Sequence, residues 1–572
     1  MSEINPASPR LPRRELWAWL APPFLVGLAL RWIGLRAQIL TGDELHTLQA
    51  ALAMPVADIL RTWTFAGADY CVPLTAAFRA LMDSGVVLSE LSLRAPSLAT
   101  GLAAVLLLPW LASPTIGRRA AIVLAWLLAV SPMLVLYSRI VRPYMPAVFA
   151  ASVAVLLFER WLRRRHPAAA VGYVISGATA VYLHLVAAPL VLAPLLYAAL
   201  RSKQREERLA LLWPTLGITL AIAACLMPAH ESLLEVIRAK RDGGLPSLST
   251  WVGVLRLQLG TREWAVAAMG LVVALRGVMV LWRTQREFLG YLSTLVAAHI
   301  IGLMILAPDR LEERAILNRY VLVALPLMLI PIAVGLSTPW RRAAKTSESP
   351  RAWSALAVST LALLALLATG PFAPASLYWG SSFAHSLSSI DFLGQGNWMP
   401  ADATPRFYHS LAETDRTRDD TATLIEYPWE NLASHSFDAY QHTHGLRVIV
   451  SGVIDRSSED RISLRNRAQP TLVGFLASPA RYLVVHLNLR AEANQLVSSD
   501  PHQRYWLHAG KQLWEPIRRA AKLMSMRLET SWGAPSYQDD MIRVWDLDLV
   551  REQQRHPNDS GSSTSSGRPN EK

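Results

Sequence analysis

A chain of 572 residues that is 52% hydrophobic and only 17% charged, with a mean hydropathy of +0.26, cannot be a disordered or highly solvated protein. Its formal charge of +13 lies in short clusters between apolar runs, so it reads as a topology signal and implies no nucleic-acid partner. Apolar runs recur from Leu16 to Pro371, and a helix needs roughly 20 such residues to cross the hydrocarbon core while bonding its own backbone. The composition therefore predicts an α-helical polytopic membrane protein.

The first apolar stretch, Leu16 to about Leu35, has no small-residue cleavage site and reads as a retained span. Further spans are predicted near 92–111, 119–137, 144–161, 168–184, 186–200, 209–227, 263–282, 288–307, 320–339 and 353–371, which makes about 11. Cations concentrate in alternate connections: Arg10, Arg13 and Arg14; Arg118 and Arg119; Arg163 to Arg165; Arg201, Lys203, Arg205 and Arg208; Arg283 and Arg286; Arg341, Arg342 and Lys345. The positive-inside rule makes that face cytoplasmic, which puts residues 1–15 inside and the region beyond the last span outside. In a bacterium this is an inner (plasma) membrane protein with a periplasmic carboxy-terminal region. Arg31, in the outer half of the first span, is read as a pairing or snorkelling residue. Cys71 and Cys225 both fall toward the outer face, and whether they pair is left open.

Past Pro371 the long apolar runs stop. Strand-like segments at Thr423–Tyr427, Arg447–Val453, Tyr482–Leu487 and Ile542–Leu547 alternate with helical patterns near 470–478 and 503–526, which predicts a soluble α/β domain over 372–550 with a small mixed or parallel sheet. Residues 551–572 are rich in Ser, Gly, Pro and Asn and are expected to be a disordered tail. The sequence has no Walker loop, dinucleotide fingerprint or zinc-ligand spacing.

The membrane domain, 16–371, carries its most telling polar residues in the predicted outer loops. Adjacent carboxylates, Asp43 and Glu44, open a loop at 41–91, and Glu44 to Met54 has the pattern of an amphipathic helix. The connection Tyr137-Ser138-Arg139-Ile140-Val141-Arg142-Pro143-Tyr144 holds two arginines at the outer boundary. His184 lies in the tight turn Tyr182-Leu183-His184-Leu185, and Asn318-Arg319-Tyr320 precedes the tenth span. In order and sidedness these motifs resemble the polytopic GT-C glycosyltransferases, in particular the protein O-mannosyltransferase and aminoarabinose transferase superfamily with its bacterial lipopolysaccharide sugar transferase branch. The resemblance covers roughly 16–340. It implies transfer of a sugar from a polyprenyl-phosphate donor to a glycan, lipid or protein acceptor at the outer face, with Asp43 as base, inversion at the anomeric carbon, and Glu44 as its helper.

The residue chemistry is compatible with that implication. An attacking hydroxyl needs a carboxylate to take its proton, and a phosphate leaving group needs cations rather than a second acid. Arginine presents a planar fork suited to phosphate oxygens. Arg139, Arg142 and Arg319 are therefore the candidate donor-phosphate ligands, with Tyr144 and His184 as further donor or sugar contacts and Trp63 or Trp264 as sugar-stacking rings. His46 beside Asp43 leaves a divalent metal open as a cofactor. Plainer readings stand beside these: the acids can serve a helix dipole, the arginines can reach lipid headgroups, and His184 can bond between helices. At the level of the whole chain, a transporter or flippase of a lipid-linked solute and a non-catalytic envelope assembly protein are the alternatives. Transporters carry their polar groups near the midplane.

Overall fold

The computed structural model describes residues 13–33, 35, most of 44–88, 90–239, nearly all of 244–338, 405–415, 424–427, 449–451, 472–477, 480–488 and 511–555, with single positions elsewhere. The chain divides into two compact units, one of Met1–Gln38, Ala50–Thr64 and Asp69–Gln395, the other of Ile39–Gln49, Phe65–Ala68 and Gly396–Lys572.

The first unit is helical. By length and composition, six described helices suffice to cross a membrane: Leu91–Ile116, Tyr144–Arg164, Arg205–Arg238, Trp264–Thr284, Arg286–Leu306 and Ile316–Ser337. Leu16–Trp32, Pro167–Leu183 and Leu185–Arg201 are shorter apolar helices. The segment 353–371 lies largely outside the described residues.

Three boundaries differ from the sequence reading. The segment 119–137 is two helices, Arg118–Val130 and Pro132–Tyr137, because Pro132 has no N–H to continue the ladder. The region 228–262, which falls between the predicted spans 209–227 and 263–282, contains two helices, His230–Ala239 and Leu248–Leu259, the second capped by the Ser247 hydroxyl accepting from the Thr250 N–H. Arg319, read as preceding a span, lies within the helix Arg314–Val321, which continues through a 3₁₀ turn at Leu322–Ala324 into Leu325–Ser337.

Small residues fix the closest helix contacts. At the crossing of Trp264–Thr284 with Leu325–Ser337, a Cβ on Gly277 would strike the Pro331 carbonyl and one on Gly335 would strike the Val273 carbonyl. A Cβ on Gly101 would collide with the Ser138 side chain and come within 3.1 Å of Arg31 Nε. The break at Pro132 is closed by Arg31, which is 1% exposed. Its Nη2 donates to the Leu128 carbonyl at 3.2 Å, its Nη1 to those of Ala129 and Gly27 at 3.1 Å, and its Nε to Ser138 Oγ at 3.0 Å. Leu128 is the residue whose carbonyl the missing Pro132 N–H would have met. Arg31 is therefore a buried helix cap rather than a snorkelling cation.

The second unit contains a five-stranded mixed sheet ordered Ile449–Ser451, Leu424–Tyr427, Tyr482–His486, Ile542–Asp546, Tyr537–Gln538. The first three strands are parallel, and Ile542–Asp546 runs antiparallel to both its neighbours. Alternation assigns the two faces. Ile425, Tyr427, Leu483, Val485 and Trp545 pack with Phe475, Met524 and Leu528, while Leu424, Val484, Ile542 and Val544 pack with Phe407, Tyr408 and Leu411. On the second face Glu426 and His486 are fully buried, with His486 Nε2 2.5 Å from Glu426 Oε2 and the Tyr408 hydroxyl donating to both carboxylate oxygens at 2.9 and 3.0 Å. The expected tail at 551–572 starts too early: the helix Leu547–Arg555 buries Leu547 and Val550, and Arg551 donates to the carbonyls of Leu476 and Ala480. Residues 556–572 lie outside the described residues.

Candidate active site

The turn 138–143 joins Pro132–Tyr137 to Tyr144–Arg164 and is held by backbone and hydroxyl bonds. Arg142 N–H donates to the Ile140 carbonyl at 2.8 Å, and Ser97 Oγ donates to the Arg142 carbonyl at 3.1 Å. This sends the two arginines to different places. Arg139 is fully buried against the first helix, where its Nη1 donates to the Leu30 carbonyl at 3.3 Å. Burial, with the charges of Arg94 and Arg31 nearby, pushes its guanidinium down to about 9. It remains a cation at neutral pH, in a region where three arginines approach one another.

Arg142 turns instead toward Tyr144. Its guanidinium carbon lies 6.0 Å from the Tyr144 ring centroid. The same ring is 5.3 Å from His184 and 5.1 Å from Tyr137, and Arg319 Nη1 donates to the Tyr144 hydroxyl at 3.2 Å. Tyr320 completes the group, with its ring 5.9 Å from His184. Four of the residues singled out in the sequence, Arg142, Tyr144, His184 and Arg319, thus converge from three segments separated by up to 177 positions. Arg139 is not among the described contacts of this group. A tyrosine ring bordered by two guanidiniums and an imidazole offers charge-assisted donors suited to a phosphate.

The connection after the first helix reaches the same neighbourhood. Cys71, the residue before the helix Val72–Asp83, points its thiol at the Leu183 carbonyl at 3.7 Å, and the nearby Arg142 charge acts on it. Burial outweighs that charge and pushes the thiol up to about 12. Trp63, named as a stacking ring, lies edge-on to Tyr182 at 6.3 Å and is 6% exposed. Trp264 is 60% exposed and sits under the Arg256 guanidinium at 4.8 Å, so it is occupied by a cation. Cys71 and Cys225 are both free thiols.

Asp43 and His46 lie outside the described residues. Glu44 is helical and 3% exposed, and Thr47, Ala50 and Ala51 are likewise helical and buried, as the predicted helical pattern requires. Among the described residues no three His, Cys, Asp or Glu side chains gather as metal ligands. Two polar neighbours escaped the sequence reading: Gln258 and His299 are both buried beside Asn318-Arg319-Tyr320. His299 stands within the apolar helix Arg286–Leu306, and an ionisable group inside a span is itself a signal that could have marked it.

This polar group sits in a helical unit with six described helices long and apolar enough to cross a membrane, the class of integral membrane proteins. Residues 73–229 match the family model described as dolichyl-phosphate-mannose-protein mannosyltransferase. That segment contains Arg139, Arg142, Tyr144 and His184, while Asp43, Glu44 and Arg319 fall outside it. The fold is similar to crystal structures of ArnT from Cupriavidus metallidurans, at 13% identity over 92% of this chain and 97% of that one. The TM-score is 0.52 for its apo state and 0.50 for the form bound to undecaprenyl phosphate. None of the curated proteins matches significantly by sequence. The chain thus resembles the GT-C polytopic membrane glycosyltransferases in fold and in its matched segment.

Proposed function

We propose that this chain is a polyprenyl-phosphate-sugar-dependent glycosyltransferase that moves a sugar to an acceptor hydroxyl at the outer face of the membrane, with inversion. The observation that carries the reading is the convergence of Arg142, His184 and Arg319 around Tyr144, three of whose four members lie in the segment matching the mannosyltransferase model. Two arginines with a phenol and an imidazole suit the departing lipid phosphate, which leaves as an anion, and fixed charge of this kind is commonly the largest catalytic contribution in a site that excludes water. Asp43 takes the acceptor proton, and Glu44 orients the loop that carries it. Arg139 acts through the fold of the turn rather than on the phosphate, as its burial against the first helix supports.

In this reading about eleven spans make up residues 16–371, the amino terminus is cytoplasmic, and the loop 41–91 and the α/β region 372–550 face the periplasm or exterior. The binding of undecaprenyl phosphate by ArnT supports a lipid-linked donor of the same class here. The test is Asp43→Asn in the intact chain, followed by mass spectrometry of cell-envelope glycans. Loss of one glycan or glycolipid modification is expected. Normal levels from a folded, membrane-inserted variant would discard the catalytic assignment.

A further inference from the structure

The segment Asn318-Arg319-Tyr320 lies where a membrane helix changes its hydrogen-bonding pattern. Arg314–Val321 passes into a 3₁₀ turn, Leu322–Ala324, closed by the Leu325 N–H donating to the Leu322 carbonyl, before Leu325–Ser337 resumes. A 3₁₀ turn bonds three residues on instead of four, and the carbonyls just upstream, near the start of the apolar helix Ile316–Ser337, have lone pairs that can accept from side chains.

Two buried side chains from two other helices take them. Gln258, 3% exposed at the end of Leu248–Leu259, donates its Nε2 to the Asn318 carbonyl at 3.1 Å and to Asn318 Oδ1 at 2.7 Å. His299, fully buried in Arg286–Leu306, lies with Nε2 2.9 Å from the Tyr320 carbonyl. A carbonyl only accepts, so Nε2 carries the proton. Asn318 is also fixed on its far side, where Nδ2 lies 3.4 Å from the Met133 sulfur. The residues immediately before and after Arg319 are therefore each anchored by a polar side chain from a separate helix, while Arg319 itself reaches Tyr144 at 3.2 Å.

We infer that Gln258 and His299 are positioning residues that hold an irregular helix segment so that Arg319 and Tyr320 face Tyr144 and His184. The inference rests on the reading of Arg319 as a ligand of the donor phosphate. A helix interrupted next to a guanidinium has several ways to repack, and two anchors of different origin select one of them. Neither anchor is expected to touch the substrate.

The experiment measures binding of undecaprenyl phosphate to the purified full-length chain in detergent, for wild type, Arg319→Ala, His299→Leu, His299→Gln, Gln258→Leu and the double variant Arg319→Ala with His299→Leu. Arg319→Ala should weaken binding about tenfold or more, the scale of a lost charge-assisted contact. His299→Leu and Gln258→Leu should each weaken it about fivefold, while His299→Gln, which keeps a donor at similar reach, stays within about twofold of wild type. Adding His299→Leu to Arg319→Ala should change nothing further, because both act through one guanidinium. If Arg319→Ala binds like wild type, the phosphate reading itself fails. If Arg319→Ala weakens binding but the two leucine variants do not, or if the double variant loses the product of both effects, the positioning role is overturned and the phosphate reading stands. Thermal unfolding of each variant separates loss of fold from loss of position, and Gln258→Leu, alone and combined with Arg319→Ala, carries the comparison if His299→Leu does not fold.

Discussion

Two groups of arginines in the helical unit use the same chemistry for opposite ends. Arg31 spends its donors on carbonyls and a serine hydroxyl at a helix break, and Arg139 lies fully buried against the same first helix. Arg142 and Arg319 instead border a tyrosine ring beside a histidine. Arg139 and Arg142 are three positions apart in one turn, yet belong to different groups. The lesson is that a cation at a membrane boundary is explained by where its donors point, since backbone carbonyls mark a structural arginine and an aromatic hub shared with other cations marks a candidate ligand.

The sharpest way to break this comparison is Arg31→Ala. Removing a fully buried guanidinium leaves the carbonyls at the Pro132 break unsatisfied, and a loss of about 3 kcal/mol or more is expected, seen as reduced accumulation and a lower melting temperature in detergent. Gly101→Val tests the boundary between the groups, because its side chain would enter the space of Ser138 and Arg31. It should destabilise by about 1–3 kcal/mol as an overpacked contact and, by displacing the turn, lower donor affinity as well. Arg142→Ala should leave the melting temperature within a few degrees of wild type and raise the KM for the lipid-phosphate donor about tenfold, with the acceptor KM little changed. An equal loss toward both substrates would argue against phosphate binding at Arg142. Tyr144→Phe removes only the hydroxyl that accepts from Arg319 and keeps the ring, so a change of about threefold in donor KM is expected. The smallest effect concerns Cys71: with its thiol pushed up to about 12 by burial, it stays protonated at pH 8 and should resist iodoacetamide until the protein is denatured. Rapid modification of native Cys71 would mean that the segment before Val72–Asp83 does not pack on the Leu183 turn as described.

The α/β unit gives a second contrast. Its buried ionisable groups, Glu426 and His486, lie against each other and Tyr408 on one face of the sheet, so they satisfy one another. A buried polar set of this kind fits the strand register, in which Glu426 pairs with Val484 and His486 with Ile542.

Much of this was legible without coordinates. Apolar runs of span length marked the membrane helices because lipid leaves the backbone few other solutions, and the strand segments at 424–427, 482–486 and 542–546 showed themselves by their β-branched and apolar character. The short turn 138–143 and the position of His184 at a helix end were likewise local properties. The helical content of 228–262 was not legible, since amphipathic helices lack a span's continuous apolar signal. Nor was Arg319's place inside a helix, because local polarity marks a span's end, whereas here the polar groups beside Arg319 are satisfied from other helices.

By itself the sequence determined that this is a membrane protein with polar residues gathered in particular turns, because hydrophobic length and local charge are properties of contiguous residues. Only the tertiary structure decided which of those residues lie together. It bonded Arg139 to the first helix, gave Arg31 a helix break to cap, and brought Arg319 to Tyr144 across 175 positions, because side-chain direction depends on how helices distant in sequence cross and pack.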